Sequence, residues 1–145
     1  MAAFRELDWR RLDVRAIVEQ RGVGNSTQDE RAPIRAWLHA EGYQLLVLDF
    51  ESGISPVVGQ LGVALSWADQ FGYELSPASR SLDVLRDGFS FTIAEESTGM
   101  VLHLIHFAAA RAEDPRWATG LLEIIAENSL RELALGRRFF ALVEE

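Results

Sequence analysis

The feature that most constrains this chain is an apolar run from Met100 to Ala110 that only His103 and His106 interrupt. It lacks the alternation of a half-exposed strand, so Met100–Phe107 reads as a strand covered on both faces. Leu45 to Leu48, within Tyr43–Phe50, is a second continuous run of the same kind. A third strand is expected over Arg137–Val143, with Phe139 and Phe140 burying on opposite faces. Helical patterns separate these runs. Ser55 reads as an N-cap with Pro56 at the first helical position. Val57, Leu61, Leu65 and Ala68 then mark one face of a helix ending near Gly72. Gly59 and Gly62 weaken it by roughly 1 kcal/mol each relative to alanine and admit close packing. Ser76–Ser81 is a capped turn, and a short helix follows over Leu82–Asp87, closed by Gly88. Asp114-Pro115 opens the longest helix, with Trp117, Leu121, Ile124 and Ile125 inward. Asn128-Ser129 is its weak point and Gly136 its terminator.

Strands joined through helices run parallel with right-handed crossovers. The expectation is therefore a small α/β domain over 43–145 with three parallel strands packed with helices. Residues 1–42 read as an N-terminal extension packed on it. Within them Val14–Glu19 is expected as a short strand and Arg21–Asp29, rich in Gly and Asn, as a turn or mobile loop. Ile34, Trp37, Leu38 and Glu41 follow helical spacing up to Gly42, with a capping-box pair at Thr27 and Glu30 and with Pro33 suiting a first turn.

At 145 residues the chain is long enough for one domain with a real core. It has no cysteine, which excludes disulfides, thiolate metal sites and a cysteine nucleophile. All 14 basic residues are arginine, against 22 acidic ones, for a net charge of −8. Residues 1–42 hold 7 arginines and 7 acids; residues 43–145 hold 7 and 15, so the second part carries the whole imbalance. Nucleic acid and anionic membrane are poor partners for such a surface, and a basic protein is a better one. The amino terminus reaches Arg5, Glu6 and Asp8 before any apolar stretch, unlike a signal peptide. The apolar run is shorter than the about 20 residues that span a bilayer. A cytoplasmic location is the expectation.

An enzyme constellation is not visible. His103 and His106 lie three apart on a strand, point to opposite sides and cannot share a metal; packed or edge histidines are the plain reading. His39 stands alone on a helix. Gly59-Gln60-Leu61-Gly62 lies inside a helical pattern with no lysine after it, so it is no phosphate loop. Ser52-Gly53 has no nucleophile-elbow context. Glu95-Glu96 reads as a solvated loop pair. Arg137-Arg138 resembles an anion site, although charge complementing a helix end explains it more simply. No cofactor or metal is expected.

The short helix is more informative. Ser81 can cap it, and Asp83 and Asp87, four apart, share one face. Leu82 and Leu85 face the core. The plain reading is an ordinary polar face, on which two like charges at this spacing are mildly unfavourable and Arg86 offsets Asp83.

A resemblance gives the pair a meaning. Ser81-Leu82-Asp83-Val84-Leu85-Arg86-Asp87 resembles the Asn-Leu-Asp-Ala-Leu-x-Asp signature of the barstar family, inhibitors of barnase-type ribonucleases. Gly42-Tyr43 before an apolar strand is similar to the family's first strand, and Phe71-Gly72 to its aromatic-glycine step. Asp114-Pro115, Leu121–Glu127 and Gly136–Val143 are similar to the tail of bacterial barstar-like proteins. The resemblance runs from near Tyr43 to the end and implies a three-stranded parallel sheet packed with helices. It also implies binding to a basic ribonuclease or ribonuclease-type toxin, whose phosphate-binding cleft would receive Asp83 and Asp87. Ser81 stands where the family has asparagine, and Arg86 where it often has an aromatic residue. Nine residues separate Gly72 from Leu82, more than in the short members. Phe71 and Tyr73 are both candidates for the family's contact tyrosine, and its late acidic contact falls near Arg131 and Glu132. Two other readings compete. One is a non-enzymatic interaction module binding a different basic partner through Tyr73–Arg80 and the N-terminal segment. The other is a small enzyme using His103 or His106 with nearby carboxylates.

Overall fold

The computed structural model describes residues 12–19 and 21–145. In chain order the elements are α1 (Leu12–Val18), β1 (Val23–Asn25), α2 (Arg31–Ala40), β2 (Tyr43–Asp49), α3 (Ile54–Ala64), α4 (Trp67–Phe71) and α5 (Leu82–Gly88). β3 (Gly99–Ile105), α6 (Phe107–Glu113), α7 (Pro115–Ala134) and β4 (Arg138–Val143) complete the fold. The strands form one parallel sheet in the order β1-β4-β3-β2.

The sheet thus has four parallel strands, which corrects the expected three. The added strand, β1, falls inside Arg21–Asp29, the stretch expected as a loop. Its three residues carry no periodic signal of their own. What makes them a strand is the edge of β4: Ala141 N–H donates to Gly22 O at 2.9 Å and Ser26 N–H to Val143 O at 2.8 Å. A second correction concerns Val14–Glu19, expected as a strand, where α1 lies instead. Asp13, Val14, Ala16 and Ile17 are buried while Arg15 and Val18 are exposed, a helical spacing. The capping box at Thr27 and Glu30 is present, opening the 3₁₀ turn before α2.

Two cores cover the two faces of the sheet. On one, α3 to α7 bury Val57, Leu61, Trp67, Leu85, Phe107, Trp117 and Ile125 against Leu48, Leu102, Leu104, Phe139 and Ala141. On the other, α1 and α2 bury Ala16, Ile17 and Leu38 against Tyr43, Val101, Phe140 and Leu142. Phe139 and Phe140 therefore serve opposite faces, as alternation requires. β3 is buried at every residue because it is an inner strand between two helical layers. β2 is an edge strand, which explains why Leu45 stays 38% exposed in a run expected to be buried.

The helix expected to run from Ser55 to near Gly72 is two helices. α3 starts after Gly53 (φ 99°), so Ser55 and Pro56 lie in its first turn. Ser66, in the left-handed region at φ 51°, breaks it before α4. The break rotates the next turn, so Trp67 is buried in place of Ala68. α7 runs unbroken through Asn128-Ser129: Asn128 Nδ2 donates to Ile124 O at 2.9 Å, and both residues are buried. α6 begins at Phe107, expected as the last residue of the strand that ends at Ile105 instead. Among the described residues no helix is long and apolar enough to cross a membrane.

Candidate functional site

α5 is seven residues long and owes its start to Ser81, whose Oγ accepts the Val84 N–H at 3.2 Å. Leu85 is buried in the main core, and Leu82 packs against its margin. Two glycines let neighbouring elements close on the helix. A Cβ at Gly88 would lie 2.2 Å from Trp67 and 2.8 Å from Phe71, so α4 is pressed against the end of α5. A Cβ at Gly120 would lie 2.3 Å from Leu82, so α7 is equally close to its beginning. The helix is therefore clamped along its inner side by close packing, which leaves little room to reorient.

The outer side of α5 is solvent-facing. Asp83 and Asp87 are both exposed, and the Asp83 side chain is 96% accessible. Arg86 is the counter-ion of this face. Its Nη1 stands 3.5 Å from Asp83 Oδ1, and its Nε donates to Glu127 Oε2 at 3.0 Å, tying α5 to α7. Phe71, 41% exposed, lies beside Gly88 and so next to Asp87; Tyr73, 54% exposed, has its ring centroid 6.1 Å from that of Phe71. Asp83, Arg86 and Asp87 lie on α5, Phe71 packs against the end of that helix, and Tyr73 stands beside Phe71.

A groove of about 970 Å³ runs between α5 and the start of α7, lined by Asp83, Arg86, Asp114, Arg116, Trp117 and Glu123 among others. The longer step after Gly72 reaches this region through Arg80, whose Nη2 donates to Ser55 Oγ at 2.8 Å and Glu113 Oε2 at 3.3 Å. Arg131 and Glu132 lie near the far end of α7, and Glu132 pairs with Arg137 at 2.5 Å. Glu127, which sequence spacing did not single out, is the α7 carboxylate that Arg86 of α5 engages.

Other polar residues separate from this surface. Arg138 is no anion site: it is buried, and its Nη1 donates to Asp13 Oδ2 at 2.8 Å. Tyr43 donates its hydroxyl to the same carboxylate, and burial pushes its pKa up. His103 is fully buried on the α2 side of the sheet, where desolvation first, and then the charge of Arg35, lower its pKa to about 4. It is therefore unavailable to an external substrate. His106 is half-exposed past the end of β3, and His39 is exposed on α2. Glu95 and Glu96 are solvated, as expected.

Comparison with protein-family models, curated proteins and solved structures found no match to this chain.

Proposed function

We propose that this chain is an inhibitor that binds a basic ribonuclease, or a ribonuclease-type toxin, and closes its active site with α5. The observation that carries the reading is the pair Asp83 and Asp87, solvent-facing on a helix whose inner side is fixed by Leu85, Gly88 and Gly120. A ribonuclease cleft presents arginine, lysine and histidine to successive phosphates. Two carboxylates on one rigid helix face offer the same charge in a pre-set arrangement, and so substitute for those phosphates with little ordering cost. The excess of acid in residues 43–145 attracts such a partner from a distance and speeds encounter. The repulsion between the two aspartates is relieved only when cationic groups fill the space around them. No bond is made or broken; the helix acts as a plug. Phe71 and Tyr73 supply the apolar margin of the contact.

The test is inhibition of a barnase-type ribonuclease by the whole chain, followed by calorimetric titration. Stoichiometric inhibition that is lost in the Asp83→Ala, Asp87→Ala double variant supports the reading. Full affinity in that variant overturns the assignment of the site. Arg86, a cation set across the acidic face, favours a second reading, in which the same surface binds a basic protein other than a ribonuclease. A stable partner without nuclease activity, together with no inhibition of barnase-type enzymes, would select it.

A further inference from the structure

Open parallel sheets commonly bind ligands outside the carboxyl ends of their strands. In this chain that edge gathers residues the α5 surface does not use. Asp49 ends β2 and His106 follows β3, its neighbour; the register sets Asp49 beside Ile105, one residue before His106. His106 Nδ1 lies 2.7 Å from Asp49 Oδ1, and the Glu51 backbone N–H donates to that same oxygen at 2.9 Å. The turn after β2 brings Glu51 back to the pair. One ligand atom from each of Asp49, Glu51 and His106 lies within 4.8 Å of the others. The carboxylates are exposed and the imidazole half-exposed, so a hydrated ion can reach all three.

The charged groups of the neighbouring interior are engaged with one another, which leaves the trio to solvent. His103, fully buried on the same side of the sheet, accepts from Arg35 Nε at 3.2 Å through Nδ1, which leaves the proton on Nε2. That Nε2 has no hydrogen-bond partner and faces Glu144 Oε2 across 3.7 Å. Buried polar atoms nearly always find partners, so this N–H donor marks a place where water bridges to Glu144. Arg31, whose charge also reaches Asp49, is held by Glu144, to which its Nε donates at 2.9 Å. It is thus committed elsewhere and does not close the trio.

We propose that Asp49, Glu51 and His106 bind a first-row divalent transition-metal ion, with Zn²⁺ as the type. One imidazole nitrogen and two carboxylate oxygens are a donor set for such an ion. Tetrahedral ligands at about 2.0–2.2 Å from zinc stand roughly 3.4 Å apart, so His106 Nδ1 and Asp49 Oδ1, now 2.7 Å apart, open slightly to admit the ion. The ion takes the place of the proton shared by that pair, and water fills the remaining positions. The chelate ties the turn after β2 to the residue after β3. The site lies at the strand ends, while α5 packs on the other core, so the proposal does not rest on the function proposed for α5.

Calorimetric titration of ZnCl2 into the full chain at neutral pH tests it, with Co²⁺ absorption reporting the ligand set. One saturable site per chain is expected. His106→Asn should weaken it by roughly tenfold or more, and asparagine suits the left-handed backbone there (φ 53°). Glu51→Gln, on an exposed side chain, should also weaken binding without disturbing the fold. The Asp83→Ala, Asp87→Ala variant should bind zinc as the parent does. Absence of saturable uptake overturns the proposal, as does uptake equal in the parent and both site variants, or uptake lost only when His39 is replaced.

Discussion

Charge gathers on two helices of this molecule, and the chain treats the two oppositely. On α1, Asp13 is fully buried, and Arg138 and Tyr43 from two different strands converge on it. On α5, Asp83 and Asp87 stand in solvent, and one arginine is shared between Asp83 and Glu127. A carboxylate that ties distant parts of the chain together has its bonding used up by the fold. A carboxylate held outward by a rigid helix leaves its bonding available to another molecule. The difference separates a structural acid from a recognition acid without reference to sequence motifs.

The largest effect that can break this contrast is at the buried acid. Arg138→Met removes the guanidinium and leaves the Asp13 carboxylate buried without it. Breaking a buried ion pair from one side costs on the order of 3–5 kcal/mol, and chemical denaturation should show a loss of that size. Asp83→Ala and Asp87→Ala should each change stability by no more than about 0.5 kcal/mol. Equal losses at both places would erase the distinction.

A second test uses acid. His103 is kept neutral by burial, with Arg35, Glu144 and Arg31 as the charged groups facing it. Its folded pKa of about 4 lies below the ordinary value of 6.5. The unfolded chain therefore binds the extra proton between these values, and stability falls as pH drops from about 6.5 to 4. The full loss is on the order of 3 kcal/mol. Glu144, held below the carboxylate range by Arg31, adds to it at the acid end. His103→Gln, which keeps an acceptor for Arg35, should flatten the slope in that window when stability is followed against pH. The exposed aspartates of α5 should leave the slope unchanged.

At the recognition end, Asp87→Ala should weaken binding to the ribonuclease by about 2 kcal/mol or more, the scale of an interface hot spot, while stability moves within about 0.5 kcal/mol. Surface plasmon resonance at several ionic strengths would show whether the association rate falls with salt. A rate that ignores salt would remove steering from the account.

What could be read in advance divides along the same line. α5, its cap at Ser81 and the outward spacing of Asp83 and Asp87 are local, fixed by residues within one turn, and they were legible. So were β3, β4 and α7, where apolar patterns are long. β1 was not, because Val23, Gly24 and Asn25, just after Gly22, become a strand only when β4 offers its edge. The end of α3 was missed because Ser66 takes a left-handed conformation that glycine would have advertised and serine does not. Arg138 was misplaced for a related reason: its partner Asp13 is 125 residues away. The trio of Asp49, Glu51 and His106 was invisible too, since two strand ends must be aligned before those side chains meet. Sequence shows which charges share a turn; it does not show which charges share an end of a sheet.

The smallest effect belongs to Arg86, which sits on the boundary between the two classes. Its side chain is 37% exposed, and it holds Glu127 at 3.0 Å while standing 3.5 Å from Asp83. A half-exposed pair of this kind contributes roughly 0–1 kcal/mol, so Arg86→Gln should change stability by about 0.5 kcal/mol at most. Its influence on binding has the opposite sign to that of the aspartates. With the guanidinium gone, Asp83 and Glu127 lose their internal cation and the face becomes more negative, so a basic partner should associate faster. The gain should shrink as salt rises, because screening removes the term that Arg86 opposes. If the variant instead binds more slowly at low salt, Arg86 is itself a contact with an acidic group of the partner, and the α5 surface is matched to a target of mixed charge.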